Sequence, residues 1–150
     1  GARRYGEQRR FVRSCVMQLL YQADLAADWD PGRDVLDTFW ERMELEPDMA
    51  APSRAGRNRK QTERMFAAVV SRRDELDERL KELSSHWRLE RMNAVDRTVL
   101  RLGLYEILFS DNVPPRVAIN EAIELAREYG DRNSPAFVNG VLDAAAEGRL

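Results

Sequence analysis

The segment from Asn93 to Leu108 constrains the fold more than any other part of the sequence. Its apolar residues recur at helical spacing and cover almost the whole circumference of the predicted helix. A helix that is hydrophobic on every side must be surrounded by other elements, so we place it at the centre of the fold. Asn93 is a favourable N-cap, and Asp96, three residues later, completes the pattern of a capping box.

The other periodic segments also repeat at helical spacing. An apolar stripe in residues 12–23 marks a first helix, and prolines at positions 115 and 135 open the last two helices. A second stripe, in residues 66–83, fits either one long helix or two helices joined near Ser71. No alternating β pattern appears, so the sequence predicts an all-α fold.

Residues 46–56 break the helical pattern, because they contain two prolines, one glycine and no periodicity. We expect this stretch to be a mobile internal linker. A chain of 150 residues buries about 70% of the surface that its unfolded form exposes, which is enough for one core. We therefore predict a single helical domain over residues 1–150.

The sequence offers little catalytic chemistry. Cys15 and His86 are the only cysteine and the only histidine, so no zinc ligand set can be assembled, and no glycine-rich phosphate loop is present. Acidic residues in the segment 74–82 alternate with Arg and Lys, which is typical of a solvated helix face rather than a catalytic pair. We predict a protein that is not an enzyme and that needs no cofactor or metal.

Cysteine content and hydropathy indicate the compartment. A single cysteine excludes an intrachain disulfide, which favours a reducing environment. No run approaches the roughly 18 apolar residues of a membrane span. No signal segment follows the basic start, because Arg13 interrupts it. We expect a cytoplasmic protein with no membrane association.

Charge is unevenly distributed along the chain. The formal net charge is −2, yet residues 1–13 contain five arginines and one glutamate, a local charge of +4. A basic arm on an acidic body is common in proteins that contact RNA or DNA, and a disordered basic tail is the alternative. A second run of cations either extends such a surface or solvates a loop. Its members are Arg54, Arg57, Arg59, Lys60 and Arg64.

One face of the first helix has the composition of a contact surface. Arg13, Met17 and Tyr21 recur at i, i+4 and i+8, about a quarter turn or more from the apolar stripe, with Arg10 beside them. The planar guanidinium of arginine binds phosphate through two hydrogen bonds and stacks on unpaired bases, so this end of the helix suits RNA. A solubilising surface is the alternative.

Four blocks of the sequence are specific enough to identify a family. They are R-R-F-V-R-S-C-V-M-Q-L-L-Y-Q at residues 9–22, D-R-T-V-L-R-L-G-L-Y-E at 96–106, V-P-P-R-V-A-I-N-E-A-I-E-L-A at 113–126 and F-V-N-G-V-L-D at 137–143. Their order and separation resemble those of the NusB family of bacterial transcription antitermination factors. The resemblance covers nearly the whole chain and implies a compact bundle of about seven helices in two helical halves.

The resemblance also implies a function. Members of the family bind boxA, a short single-stranded RNA element in ribosomal operon leaders. They also bind a small-subunit ribosomal protein that doubles as the transcription factor NusE. Together with other Nus factors and RNA polymerase, they suppress premature termination. We therefore expect an antitermination factor that promotes processive transcription of ribosomal RNA operons.

The family's functional positions fall on specific residues of this chain. Tyr21 and Asp96 resemble contacts to the ribosomal protein. Asp96 fits its capping box equally well, and Phe137 fits a core position as well as a base-stacking one. The residues implied to bind RNA are Arg9, Arg10 and Arg13, with Arg3 and Arg4 extending them, and a second patch at Asn133, Phe137 and Asn139.

Two alternatives to this function remain open. The first is a stand-alone relative of the NusB-like domain attached to RNA cytosine methyltransferases, which would position RNA without a boxA preference. The absence of a methyltransferase segment argues against it. The second is a structural helical protein whose homodimer buries the arginine arm.

Overall fold

The computed structural model describes residues 2–84 and 88–147, with side chains from Tyr5 onward. This part of the chain consists of helices and turns and contains no strand, which confirms the predicted all-α fold. A short 3₁₀ turn, Leu89–Arg91, precedes the last three helices. The α-helices are α1 (Ala2–Ala26), α2 (Arg33–Leu45), α3 (Ala50–Ser53), α4 (Gly56–Ser71), α5 (Arg73–Leu83), α6 (Ala94–Phe109), α7 (Pro115–Tyr129) and α8 (Ser134–Glu147).

The helices form two compact units, residues 1–70 and 71–150. The eight α-helices of the described residues agree with the number of about seven that the resemblance implies, and the shortest, α3, lies inside the expected linker. The stripe of residues 66–83 belongs to two helices, because α4 ends at Ser71 and α5 begins at Arg73. The single domain and the mobility of residues 46–56 stay predictions.

Residues 46–56 are tied to the start of α4 by side-chain hydrogen bonds. Asn58 Nδ2 donates to the carbonyl oxygen of Pro52 at 3.0 Å, and Arg59 Nε donates to that of Ser53 at 2.5 Å. Ser53 itself is fully buried. A helix of four residues has little stability of its own, so these contacts help to hold the turn between α3 and α4.

In the first unit, α1 is enclosed along its middle. Each of the seven residues from Phe11 to Met17 is at most 9% exposed. Seven consecutive residues make about two full turns of helix, so no face of α1 reaches the surface over this stretch. The accessible side chains of α1 are therefore confined to its two ends.

A glutamate in the same unit joins α2 to α4. Trp40 is buried, and its Nε1 donates to Glu63 Oε2 at 2.8 Å. Arg33 donates to both carboxylate oxygens of Glu63, at 2.6 and 2.7 Å. These contacts, chiefly the hydrogen bonds from Arg33, hold the pKa of Glu63 below its usual range. The guanidinium of Arg59 lies 5.2 Å from the centre of the Trp40 ring and covers it.

In the second unit, α6 packs against α5, α7 and α8, as its all-round hydrophobicity predicts. Gly103 allows this close approach, because a Cβ there would lie 2.6 Å from Leu142 Cδ1 and 3.2 Å from the Cβ of Ala122. Gly140 also interrupts a helical pattern, but a Cβ at that position would meet nothing within 4 Å. Close packing therefore explains the first glycine and not the second.

The start of α6 has the predicted N-cap at Asn93, but the second hydrogen bond of the capping box has a different acceptor and donor. Asp96 N donates to Asn93 Oδ1 at 2.8 Å, and Asn93 Nδ2 donates to Asp96 Oδ2 at 3.1 Å. The second bond joins two side chains, whereas a capping box returns to the backbone. Asp96 Oδ1 is buried and has no hydrogen-bond partner among the described residues. Burial raises the pKa of the Asp96 carboxyl, while the nearby Ser134 and Asn93 side chains oppose the shift.

An ion pair joins α5 to α6. Arg101 donates through Nε to Asp77 Oδ1 at 2.7 Å and through Nη2 to Asp77 Oδ2 at 3.1 Å. Their side chains are 7% and 19% exposed, so water screens this pair much less than a surface ion pair. The two parallel hydrogen bonds help to offset the cost of removing both charges from water.

Removal of the Asp77 carboxylate is expected to destabilise the protein. Asp77→Ala leaves a buried guanidinium without this partner, which costs about 2–4 kcal/mol given the partial exposure of Asp77. The double change Asp77→Leu with Arg101→Met should cost less, because neither charge of this pair is then left buried without the other. Urea unfolding of the wild type, Asp77→Leu, Arg101→Met and the double variant measures the coupling free energy between the two side chains. If the losses of unfolding free energy in the two single variants add up to the loss in the double variant, the two side chains are not coupled.

The raised pKa of Asp96 predicts a stability that depends on pH. A carboxyl whose pKa lies above the ordinary 3.8 in the folded chain binds its proton more tightly there. Its stabilising contribution is present in acid and is lost as the pH rises through the folded-state pKa. Asp96→Asn removes this titration. When the pH falls from about 7 to about 4, wild type should gain unfolding free energy relative to Asp96→Asn in urea titrations. A difference that does not change with pH would disprove this.

Candidate nucleic-acid interface

The basic residues predicted to bind RNA lie in the first half of α1. Arg10 is exposed and Arg9 is half-buried, and they directly precede the enclosed part of the helix. Arg3 and Arg4 belong to the same helix, but their side chains lie outside the described residues. The first turn of α1 contains no acidic residue. The N-terminal end of α1 therefore presents arginine side chains at the surface of the first unit.

Two residues of the predicted contact strip do not reach the surface. Arg13 is 5% exposed and Met17 is 1% exposed, because the middle of α1 is enclosed on all sides. The expectation of a continuous exposed strip from Arg10 to Tyr21 is therefore wrong. The aliphatic stem of arginine packs well against apolar side chains, so helical spacing does not distinguish a buried arginine from an exposed one. An RNA contact by Arg13 stays a prediction and requires its guanidinium to become accessible.

The C-terminal end of α1 combines an aromatic and an aliphatic side chain. Tyr21 is half-buried, and Leu25, one turn later, is 63% exposed. Residues four positions apart lie on the same face of a helix, so the two side chains form one small amphipathic surface. Leu25 is absent from the predicted set, although its i+4 spacing from Tyr21 and its place beyond the apolar stripe are visible in the sequence.

The second predicted RNA patch lies at the start of α8. Asn133 is exposed and Phe137 is half-buried, and the backbone N–H of Phe137 donates to the carbonyl oxygen of Asn133 at 3.2 Å. Asn139 is also exposed, but it lies about 160° around the helix from Phe137, because successive residues are about 100° apart. The structure thus brings Asn133 and Phe137 together and places Asn139 on another side of α8.

A network of hydrogen bonds fixes the turn before α8. Asp131 Oδ1 accepts hydrogen bonds from the backbone N–H of Asn133 at 2.8 Å and from that of Ser134 at 3.2 Å. Ser134 Oγ accepts one in return from the backbone N–H of Asp131 at 3.0 Å. This Asx-type turn holds Asn133 at the mouth of the helix, so the patch is preorganised.

Asp96 does not present an exposed carboxylate to a partner. It is 8% exposed and is engaged in the cap of α6. Asp96 therefore has the helix-capping role, which is one of the two roles predicted for it from the sequence. A contact to a ribosomal protein stays a prediction. Tyr21 belongs to the first unit and Asp96 to the second.

The described residues contain no cluster of side chains suited to a metal ion. No group of three His, Cys, Asp or Glu residues among them could hold a metal ion. Burial raises the pKa of the Cys15 thiol to about 12, which keeps it protonated and unreactive. His86 lies outside the described residues. None of the described helices combines the length and apolar character needed to cross a membrane.

Known proteins resemble nearly the whole chain. The NusB family model matches residues 10–147. The transcription antitermination protein NusB of Anaeromyxobacter sp. (strain Fw109-5) is 42% identical over 142 residues, which cover 94% of this chain and 91% of the relative. The NusB structure from T. maritima is 32% identical with a TM-score of 0.74, and the match covers 93% of this chain and 90% of the other.

A more distant structure shares the fold. It is a crystal structure of the antitermination factors NusB and NusE in complex with dsRNA. It is 22% identical to this chain with a TM-score of 0.77, and the match covers 95% of this chain and 98% of the other. Since the family model and a 42% identical relative both span almost all of its residues, the chain belongs to the NusB family.

Proposed function

We propose that this chain is a transcription antitermination factor that binds boxA RNA of ribosomal RNA operons together with the small-subunit ribosomal protein NusE. Membership of the NusB family supports the antitermination role. A protein of the same fold was crystallised with NusE and dsRNA, which supports binding to NusE and to RNA in general. In this role the chain is a cytoplasmic adaptor that links RNA to other Nus factors and RNA polymerase, and it makes or breaks no covalent bond.

The observation that carries the proposal is the position of Arg9 and Arg10. They lie at the N-terminal end of α1, within a segment of charge +4, on a chain whose formal net charge is −2. Guanidinium groups bind phosphates through charge-assisted hydrogen bonds and release counterions from the RNA. Arg10, which is exposed, contacts a phosphate directly, and the half-buried Arg9 reinforces the positive potential beside it.

The start of α8 supplies a contact to a base. The ring of Phe137 is partly accessible beside the exposed amide of Asn133. Stacking of one base on an aromatic ring contributes about 1–3 kcal/mol. The amide of Asn133 offers both donors and an acceptor to a base edge. This pair therefore reads an unpaired nucleotide, whereas the arginines of α1 bind the backbone.

The C-terminal end of α1 forms the contact to NusE. Tyr21 has a polar tip on an apolar ring, and Leu25 adds an exposed aliphatic surface on the same helical face. Tyrosine is enriched at protein interfaces because one end is apolar and the other forms hydrogen bonds. RNA and protein thus use opposite ends of one helix, separated by its enclosed middle.

Loss of the Arg10 side chain is expected to weaken binding of boxA RNA about 5- to 10-fold. The slope of the logarithm of the binding constant against the logarithm of the salt concentration should become shallower by about 0.7, as for one lost phosphate contact. Fluorescence anisotropy at several salt concentrations measures both quantities for Arg10→Ala. Arg79→Ala is the matched control, because it removes an exposed arginine whose head group lies 3.9 Å from Glu82. Equal losses in the two variants would contradict the assignment of Arg10.

The same titration tests the RNA preference itself. Wild type should bind boxA RNA more tightly than a scrambled RNA of equal length and composition, and addition of NusE should increase that difference. Equal affinity for both sequences, with and without NusE, would exclude the boxA function even if the arginines bind RNA.

Tyr21→Asp is expected to reduce NusE binding at least about tenfold, because it places a charge on the proposed apolar contact. Tyr5→Asp is the control, since it makes the same change at a 58% exposed position near the other end of α1. Isothermal titration calorimetry gives the affinity of each variant for NusE, and circular dichroism checks that both variants keep their helicity. Normal NusE binding by folded Tyr21→Asp would refute this contact.

A further inference from the structure

A row of cations runs along one face of α4 in the first unit. Arg57, Lys60 and Arg64 are three and four residues apart, so they lie within about 60° of one another around the helix. Together with Gly56 and Gln61 they line an open cleft with a volume of about 410 Å³. We call this feature the α4 cleft. Its three cations span about 10 Å along the helix axis, which is long enough for successive phosphates of one strand.

The cations of the α4 cleft are exposed, and none of them forms an ion pair with another residue of the described chain. The first turn of α4 contains no acidic residue. Glu63, the acidic residue next to Arg64, is already bound by Arg33 and Trp40. The positive charge of the cleft is therefore not neutralised by its own helix.

Other basic residues show what a solvated or structural role looks like in this protein. Arg59, in the same cationic run, donates to Glu44 at 3.2 Å and to the carbonyl oxygen of Ser53, so it holds the turn before α4. On α5, Lys81 lies 3.4 Å from Glu78 at the i,i+3 spacing of an ordinary surface ion pair. The α4 cleft lacks such pairs, although they would stabilise an isolated helix.

We infer that the α4 cleft binds the phosphates of single-stranded RNA, as a second backbone contact besides the arginines of α1. This inference rests on the proposed RNA-binding function. Phosphate contacts fix the position of a strand and read no sequence. The cleft therefore holds nucleotides that flank the recognised element, whatever their sequence, and it raises the affinity for long RNA more than for short RNA.

The composition of the cleft favours RNA over an acidic protein surface. Arginine, lysine and glutamine supply only polar head groups, and Gly56 exposes backbone beside them. Among the described residues, no aromatic or branched apolar side chain lines the cleft, whereas the centres of protein interfaces are enriched in aromatic residues and methionine. Binding through cations alone is characteristic of nucleic-acid backbones.

The test compares two triple variants that remove the same charge. The variant Arg57→Ala/Lys60→Ala/Arg64→Ala removes the three cations of the α4 cleft. The control variant Arg79→Ala/Lys81→Ala/Arg127→Ala removes three exposed cations that are each near a carboxylate. Each protein is titrated with a short RNA that contains only boxA and with a longer RNA that adds unstructured flanks. The cleft variant should lose about tenfold or more in affinity for the long RNA, and its log–log salt slope should fall by about 2. Its affinity for the short RNA should change less.

A charge-conserving variant, Arg57→Lys/Arg64→Lys, should keep most of the salt slope, which separates a charge effect from a folding defect. Thermal melting followed by circular dichroism checks that each variant is folded. The inference is overturned if the two triple variants bind the long RNA equally well. It is also overturned if the cleft variant loses only the binding of NusE. If wild type shows no preference for boxA over scrambled flanked RNA, the proposed function fails, yet the salt slope on either RNA still decides the role of the cleft.

Discussion

The contact of α6 with α7 and α8 at Gly103 sets the geometry of the second unit. A Cβ at this position would lie 2.6 Å from Leu142, closer than two carbon atoms can approach, so α8 packs almost on the backbone of α6. Interiors are close-packed, and even one added methylene has to be accommodated by a shift of neighbouring elements. The position of α8, and with it of Asn133 and Phe137 at its start, therefore depends on a residue that has no side chain.

In the first unit, the burial of the middle of α1 determines where the proposed contact residues lie. Residues 11–17 are buried on every side, so the side chains of α1 are accessible only toward its ends. One end presents Arg10, and the other presents Tyr21 and Leu25. A site built on a well-packed helix is positioned more precisely than a site on a loop. The same burial that makes α1 part of the core thus keeps the proposed RNA and protein contacts apart.

Periodicity and capping were sufficient to predict the helical class, the central position of α6 and the cap at Asn93, because these features depend on neighbours within one or two turns. Burial of Arg13 depends on what surrounds α1 on its polar side, and a single helical pattern contains no information about that. The short helix α3 depends on hydrogen bonds from Asn58 and Arg59, which lie beyond it in the chain. The i+4 spacing of Leu25 from Tyr21 is visible in the sequence, but spacing alone does not show that Leu25 is exposed while the middle of α1 is buried.

The distribution of paired and unpaired charge is more informative than net charge in this protein. The chain has 24 basic and 26 acidic residues, so its overall field does not attract RNA strongly. Arg33, Arg59 and Arg101 are bound by carboxylates and serve the fold. An ion-paired arginine has already given its hydrogen bonds to an anion, and a phosphate would have to displace that anion to bind. Cations without such partners can still donate hydrogen bonds to an anion. A helix face with three such cations lacks the stability that ion pairs would add. On a nearly neutral chain, such a face is the physical signature of an anionic ligand.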